Sequence, residues 1–144
     1  MRYLLDTNIL SELVKPRPNQ RVSDWVEAQA PLDLLVSVLS LGEVQRGIAR
    51  LPDGPRRRTL IRWAGVDLPS QFAGRLLDVD LATSLAWGTM GARAAEEGRP
   101  LPTVDGLLLA TAEAHGLTLV TRNTADCAHR GVPVYDPWSG ESTV

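Results

Sequence analysis

Apolar residues along the 144-residue chain keep two alternating rhythms. Short, mainly apolar runs at Arg2–Leu5, Leu34–Val38, Leu76–Val79, Leu117–Thr121 and, more weakly, Val132–Tyr135 read as brief buried strands. Between them the apolar positions fall at helical spacing. Asn8–Val14 is a short helix stopped by Lys15-Pro16-Arg17-Pro18, and Arg21–Gln29 is a second with Val22, Trp25 and Val26 on one side. Ser40–Leu51 aligns Leu41, Val44, Ile48 and Leu51, with Ser40 and Glu43 spaced as a capping box. Residues 56–65 and 69–75 are helical. Asp80 caps a long helix that runs to about Glu97 and ends at Gly98-Arg99-Pro100. Thr103 is the expected N-cap of a helix that reaches His115, with Gly116 as its C-cap. Strands this short separated by helices predict an α/β sandwich on a mainly parallel sheet, in one domain spanning 1–144. Sites in such sheets collect beyond the carboxyl ends of the strands.

Composition narrows the chemistry. At 44% hydrophobic residues the chain can bury a core without covalent staples. Its single cysteine, Cys127, permits no intrachain disulfide and no cysteine-rich zinc site, which fits a reducing cytoplasm. Asp6 interrupts the N-terminal apolar run too early for a secretory signal, and no stretch approaches the ~18 uncharged apolar residues of a membrane span. Net charge is −2, so the molecule as a whole has no field that attracts nucleic acid. A nuclease of this charge needs local basic patches or metal ions to meet phosphate.

Four acids stand where such a sheet presents its site. Asp6 closes the first strand and is followed by Thr7 and Asn8; it is either a helix cap or part of a site. Glu43 follows the second strand and doubles as the capping-box acid. Asp105 falls in the first turn of an apolar helix, where a helix dipole alone would favour it. Asp126 lies in the loop after the strand ending at Thr121, where Asn123 and Asp126 are also ordinary turn residues. Four carboxylates in one cleft cannot all ionise unaided. A hard divalent cation such as Mg²⁺ or Mn²⁺, which takes oxygen ligands, removes that conflict and suits phosphodiester chemistry. The chain has no phosphate-binding glycine loop and no nucleophile elbow, and His115 and His129 are too few and too scattered for another catalytic set.

The stretches "YLLDTNILSEL", "VSVLSLGEVQRGI", "LPTVDGLLLATAEAHGLTLVTRN" and "TRNTAD" fall in one order from Arg2 to Asp126. In that order the chain resembles the PIN-domain ribonucleases, and among them the VapC-type toxins of toxin–antitoxin pairs, in the FitB-like branch. The resemblance implies a three-layer α/β/α sandwich. It implies Asp6, Glu43, Asp105 and Asp126 as metal-binding acids, Asn8 as a polar helper and Thr121 as the hydroxyl ending the late strand. It also implies a Mg²⁺- or Mn²⁺-dependent endoribonuclease, a homodimer, and a small cognate VapB-type antitoxin that blocks the cleft. Two positions depart from the family's pattern. Gly106 replaces a usual alanine and would loosen its helix by up to ~1 kcal/mol. Cys127 replaces a common phenylalanine beside Asp126.

Arg56, Arg57, Arg58 and Arg62 sit on one segment that either contacts RNA phosphates or is a solvated helix face. Trp25, Trp63, Trp87 and Trp138 are expected in the core or an interface rather than stacked on bases. The helices over 21–29 and 40–51 carry apolar surface that either receives an antitoxin helix or is plain core. Rival readings fit less well. A receiver-like domain needs a lysine after a late strand, and the only lysine is Lys15. A haloacid-dehalogenase-type phosphatase needs an aspartate where Asn8 stands. The remaining alternatives are a non-catalytic PIN-fold binding module and a PIN nuclease of RNA processing outside a toxin–antitoxin pair.

Overall fold

A computed structural model describes all residues, 1–144. Its strands are β1 (Tyr3–Leu5), β2 (Leu34–Ser37), β3 (Leu76–Leu77), β4 (Thr118–Val120), β5 (Val134–Asp136) and β6 (Glu141–Thr143). They form one sheet of order β3-β2-β1-β4-β5-β6, parallel throughout except for β6, which turns back antiparallel on β5. The helices are α1 (Thr7–Leu13), α2 (Gln20–Glu27), α3 (Val38–Ala49), α4 (Pro55–Arg62), α5 (Leu68–Gln71), α6 (Leu81–Glu96), α7 (Thr103–His115) and α8 (Thr124–Cys127). None is long and apolar enough to cross a membrane.

Because successive strand residues face opposite ways, each short run feeds two cores. Leu5, Leu34, Val36 and Val120 point into a layer built with α1 to α5, including Ile9, Val44, Ile48 and Phe72. Leu4, Leu35, Leu119 and Val134 point the other way, onto Met90 of α6 and Leu108, Leu109 and Ala112 of α7. The result is the expected α/β/α sandwich with a mainly parallel sheet. The chain leaves β1 toward β2 on one side and reaches β4 on the other. The C-terminal ends of β1 and β4 therefore form a topological switch point, where ligands of open α/β sheets bind.

Several local expectations are corrected. The helix over 38–49 is capped by Ser37, whose Oγ accepts the Leu39 N–H at 3.1 Å, so the Ser40–Glu43 capping box does not form. Ser37 is the last residue of β2, and the chain passes from strand to helix without a loop. That leaves Glu43 inside the helix and free to face the sheet edge. Thr103 is the first helical residue rather than the cap, which is Pro102. The helix at 56–65 stops at Arg62 and continues as a π turn over Trp63–Asp67, followed by α5, which is shorter than the expected 69–75. Strand β6, only three residues long and largely exposed, carries too little apolar signal to be read from the sequence.

Gly106 has a packing role in α7. A Cβ there would lie 3.0 Å from Leu101 and 3.2 Å from the Trp87 ring, so the glycine lets α6 and the 101 segment close on α7 at the residue next to Asp105. Gly106→Val is expected to lower stability by about 2 kcal/mol through overpacking, read from the urea midpoint. An unchanged midpoint would show that the contact has room to spare.

Candidate active site at the carboxyl edge of the sheet

Asp6 is the residue after β1, 5% exposed, and it begins α1 as its N-cap. Its Oδ1 accepts the Thr7 N–H at 2.6 Å, and its Oδ2 accepts the Thr121 hydroxyl at 2.7 Å and, more weakly, Asn8 Nδ2 at 3.4 Å. Thr121 follows β4, whose Val120 pairs with Leu5, so the sheet register itself sets the Asp6–Thr121 bond. Asn8 ties the same two strand ends together, donating to Thr121 Oγ1 at 3.2 Å and accepting the Arg122 N–H at 3.3 Å. Asp6 is thus both alternatives raised by its sequence position: a cap and a cleft residue.

From α3, Glu43 Oε1 accepts the Thr7 hydroxyl at 2.6 Å. From the first turn of α7, Asp105 Oδ2 accepts Asn123 Nδ2 at 2.9 Å, and the same Nδ2 lies 3.2 Å from Asp126 Oδ2 in α8. Asp126 therefore stands in the first turn of a short helix rather than in a loop. Asp6, Glu43 and Asp105 line one polar cleft of about 400 Å³ together with Asn8 and Asn123. Asp126 does not line it and reaches the group through Asn123; Thr121 is buried behind Asp6. Every acid is held by a neutral donor, with Asp105 and Asp126 sharing the Asn123 amide. No three His, Cys, Asp or Glu side chains are gathered closely enough to hold an ion as they stand. The donors are nonetheless all oxygens converging from four segments on one sheet edge, a set suited to a hard cation.

Crowding shows in the protonation of the acids. Burial raises the Asp6 carboxyl above its ordinary range, against the Thr121 and Thr7 hydrogen bonds, and Glu43 adds to the rise. Burial, then the charges of Asp6, Asp126 and Glu43, push Asp105 up to about 6. The Cys127 thiol, fully buried, is pushed far up by the same burial and acids, so it is a packing residue and no nucleophile.

Two arginines brace the acid-bearing segments. Arg130, 7% exposed, donates through Nε to the Asp126 carbonyl and through its terminal nitrogens to the carbonyls of Arg99 at 3.2 Å and Pro100 at 3.3 Å. Arg99 reaches back to the Ala125 carbonyl at 2.9 Å. The loop entering α7 and the turn of α8 are thereby locked together, which fixes Asp105 relative to Asp126.

The arginine segment read as a possible RNA contact lies elsewhere. Arg56 sits in the adjoining groove between α1, α3 and α4, beside Glu43, while Arg57, Arg58 and Arg62 do not line the acid cleft. The cleft's cations are Lys15 and Arg122, and its single apolar wall is Trp138. Glu12, Lys15, Arg122, Asn123 and Trp138 were not singled out by sequence as cleft residues. Trp138 in particular is a cleft wall as well as a core contact.

A model of the PIN domain matches residues 3–129. The chain belongs to the PIN-domain family. This PIN protein is 37% identical to the VapC ribonuclease Y4jK of Sinorhizobium fredii, over 94% of this chain and 96% of that one. It superposes on the crystal structure of FitAcB from Neisseria gonorrhoeae with a TM-score of 0.88 at 32% identity, covering 94% of this chain and 98% of that one. A toxin–antitoxin complex from Klebsiella pneumoniae is similar at 29% identity with a TM-score of 0.69, over 94% and 97% of the two chains.

The raised Asp105 makes stability depend on pH. In the folded state this carboxyl holds its proton more tightly than in the unfolded chain, so the folded state is favoured below the ordinary value of 3.8 and loses that advantage as pH rises through about 6. In EDTA at pH 7, Asp105→Asn is expected to exceed the parent protein in stability by about 1 kcal/mol after solvent screening. The gap should close between pH 6 and 4 in chemical denaturation. A gap that is independent of pH would show that the acids do not repel.

Proposed function

We infer that this PIN protein is the toxin of a toxin–antitoxin pair and a Mg²⁺- or Mn²⁺-dependent endoribonuclease that hydrolyses RNA with water as the nucleophile. The observation that carries the reading is the convergence of Asp6, Glu43 and Asp105 on one cleft at the switch point of the sheet, with Asp126 tied to it through Asn123. The relationship to a VapC ribonuclease supports RNA as the substrate, and that to a toxin–antitoxin complex supports the pairing.

Asp6 and Asp105 would hold the principal ion, with Glu43 completing its shell directly or through water and Asp126 supporting a second. The ion supplies a lowered pKa for a bound water and offsets charge on the phosphate oxygens. The chain's own part is positional. Thr121 and Asn8 keep the Asp6 carboxylate turned into the cleft, Thr7 does the same for Glu43, and Asn123 spaces Asp105 from Asp126. No side chain in the cleft offers an activated Ser, Cys or His for a covalent intermediate. All four acids are present and ordered on hydrogen bonds, which favours an enzyme over a binding module.

The antitoxin would dock beside the cleft. An apolar cavity of about 460 Å³ runs between α1, α2 and the 63–72 segment, lined by Leu10, Leu13, Val26, Trp63 and Phe72. It adjoins the α1–α3–α4 groove that contains Glu43, so a helix seated there could reach the acids. A homodimer is supported by α6, where Leu81 and Leu85 are 75% and 64% exposed one turn apart.

End-group analysis of cleaved RNA tests the reaction. Attack by water leaves a 5′-phosphate and a 3′-hydroxyl, and EDTA should stop cleavage. Cyclic 2′,3′-phosphate ends, or full cleavage in excess EDTA, would contradict the mechanism.

A further inference from the structure

The acid cleft contains one cation whose side chain is neither hydrogen-bonded nor ion-paired, although its charge reaches the Glu12 carboxylate. Of its two cations, Lys15 is ion-paired with Glu12 at 2.8 Å. Glu12 is itself buried and also accepts the Asn19 N–H at 2.9 Å, so that pair belongs to the scaffold. Arg122 makes no side-chain hydrogen bond and no ion pair. Its guanidinium carbon lies 5.0 Å from the centroid of the Trp138 ring, and Arg122 lines the cleft. Such stacking orients an arginine while leaving its N–H donors free.

Both partners are fixed from behind. The Arg122 N–H is bonded to Asn8, the residue that ties the ends of β1 and β4, so Arg122 starts from a rigid point one residue past Thr121. Trp138 is seated by Asp136, 9% exposed at the end of β5, whose Oδ1 accepts the Trp138 N–H at 2.8 Å and the Ser139 N–H at 3.4 Å. An arginine resting on an aromatic face, with its backbone anchored, at a cleft that also carries Asp6, Glu12, Glu43 and Asp105, matches an anionic group entering from solvent.

We propose that Arg122, oriented on Trp138, is the substrate-binding residue that holds a backbone phosphate of single-stranded RNA at the mouth of the acid cleft. Trp138 acts as its positioning residue. The proposal rests on the endoribonuclease reading above and adds to it the chain's own phosphate contact. Phosphate meets repulsion from Asp6, Glu43 and Asp105 on approach, and Arg122 is the cleft group that draws it in. The arginine helix α4 is not needed for this contact, because Arg57, Arg58 and Arg62 lie outside the cleft.

The test compares Arg122→Ala, Arg122→Lys and Trp138→Phe, with circular dichroism melts confirming that each variant is folded. Binding of a fluorescein-labelled single-stranded RNA is followed by anisotropy in an Asp105→Asn background with Mg²⁺, which keeps the RNA whole. Cleavage is followed in the otherwise unmodified protein. Arg122→Ala should weaken binding about tenfold and reduce the slope of log affinity against log salt by about 0.7. In cleavage it should raise KM more than it lowers kcat. Arg122→Lys should restore the salt slope but only part of the affinity, because ammonium does not stack as a planar fork. Trp138→Phe, which keeps an aromatic face, should lose less than Arg122→Ala. If the unmodified protein cuts RNA while Arg122→Ala keeps both its affinity and its salt slope, the proposal is overturned and the nuclease reading stands. If the unmodified protein neither binds nor cuts RNA, both fall together.

Discussion

Carboxylates facing one another across a half-buried cleft repel, and the strand ends of this sheet are arranged to hold them there. Asp6 takes the greatest cost, because it is the most buried of the acids. Three hydrogen bonds, from Thr7, Asn8 and Thr121, offset that cost, and two of the three donors come from the first turn of the helix that Asp6 caps. The third comes from the neighbouring strand end, so the geometry of the most buried acid is fixed by strand pairing rather than by loops. Sites built on regular elements hold their groups more closely than sites on loops.

The same demand explains features far from the cleft mouth. Asn123 places one amide between Asp105 and Asp126, satisfying both without neutralising either. Arg130 and Arg99 then lock the segments that carry those two acids, using backbone carbonyls instead of the carboxylates themselves. An arginine paired to Asp126 directly would have neutralised its charge. Gly106 allows α7 to sit close against Trp87 and Leu101 beside Asp105. Packing, bracing and charge all serve one arrangement, in which the acids are kept near each other and kept ionisable.

Much of this was legible in the chain itself. Leu34–Val36 is apolar at every position and Leu117–Val120 at all but Thr118, as suits a sheet covered on both faces, and the acid after β1 followed from the abrupt end of its run. Glu43 and Asp105 stayed open locally, as a capping-box acid and a first-turn acid; Glu43 lies just after β2, whereas α7 follows α6 and a loop, so only the packed sheet edge brings the two together. The details that failed depend on tertiary choice. Ser37 and Ser40 are both competent caps, and the sheet, by ending at Ser37, decides between them. Asn123 reads as a turn residue because its second role exists only once α7 and α8 are adjacent. Trp138 and Arg122 are sixteen positions apart on separate strand ends, and nothing local announces that one stacks on the other. Tertiary contact, across the sheet or between helices, was the missing information in each case.

The central claim is that these acids are a cation site, and linked stability measures it most directly. Melting temperature is recorded for the unmodified protein and for Asp6→Asn, each titrated with Mn²⁺ after EDTA treatment. Binding to the folded state alone adds about 1.4 kcal/mol per tenfold rise in free ion beyond saturation. The unmodified protein should therefore melt progressively higher as Mn²⁺ increases, while Asp6→Asn, melting no lower in EDTA, should gain little or nothing. An unmodified protein whose melting is indifferent to millimolar Mn²⁺, or an Asp6→Asn protein that gains equally, would contradict the account.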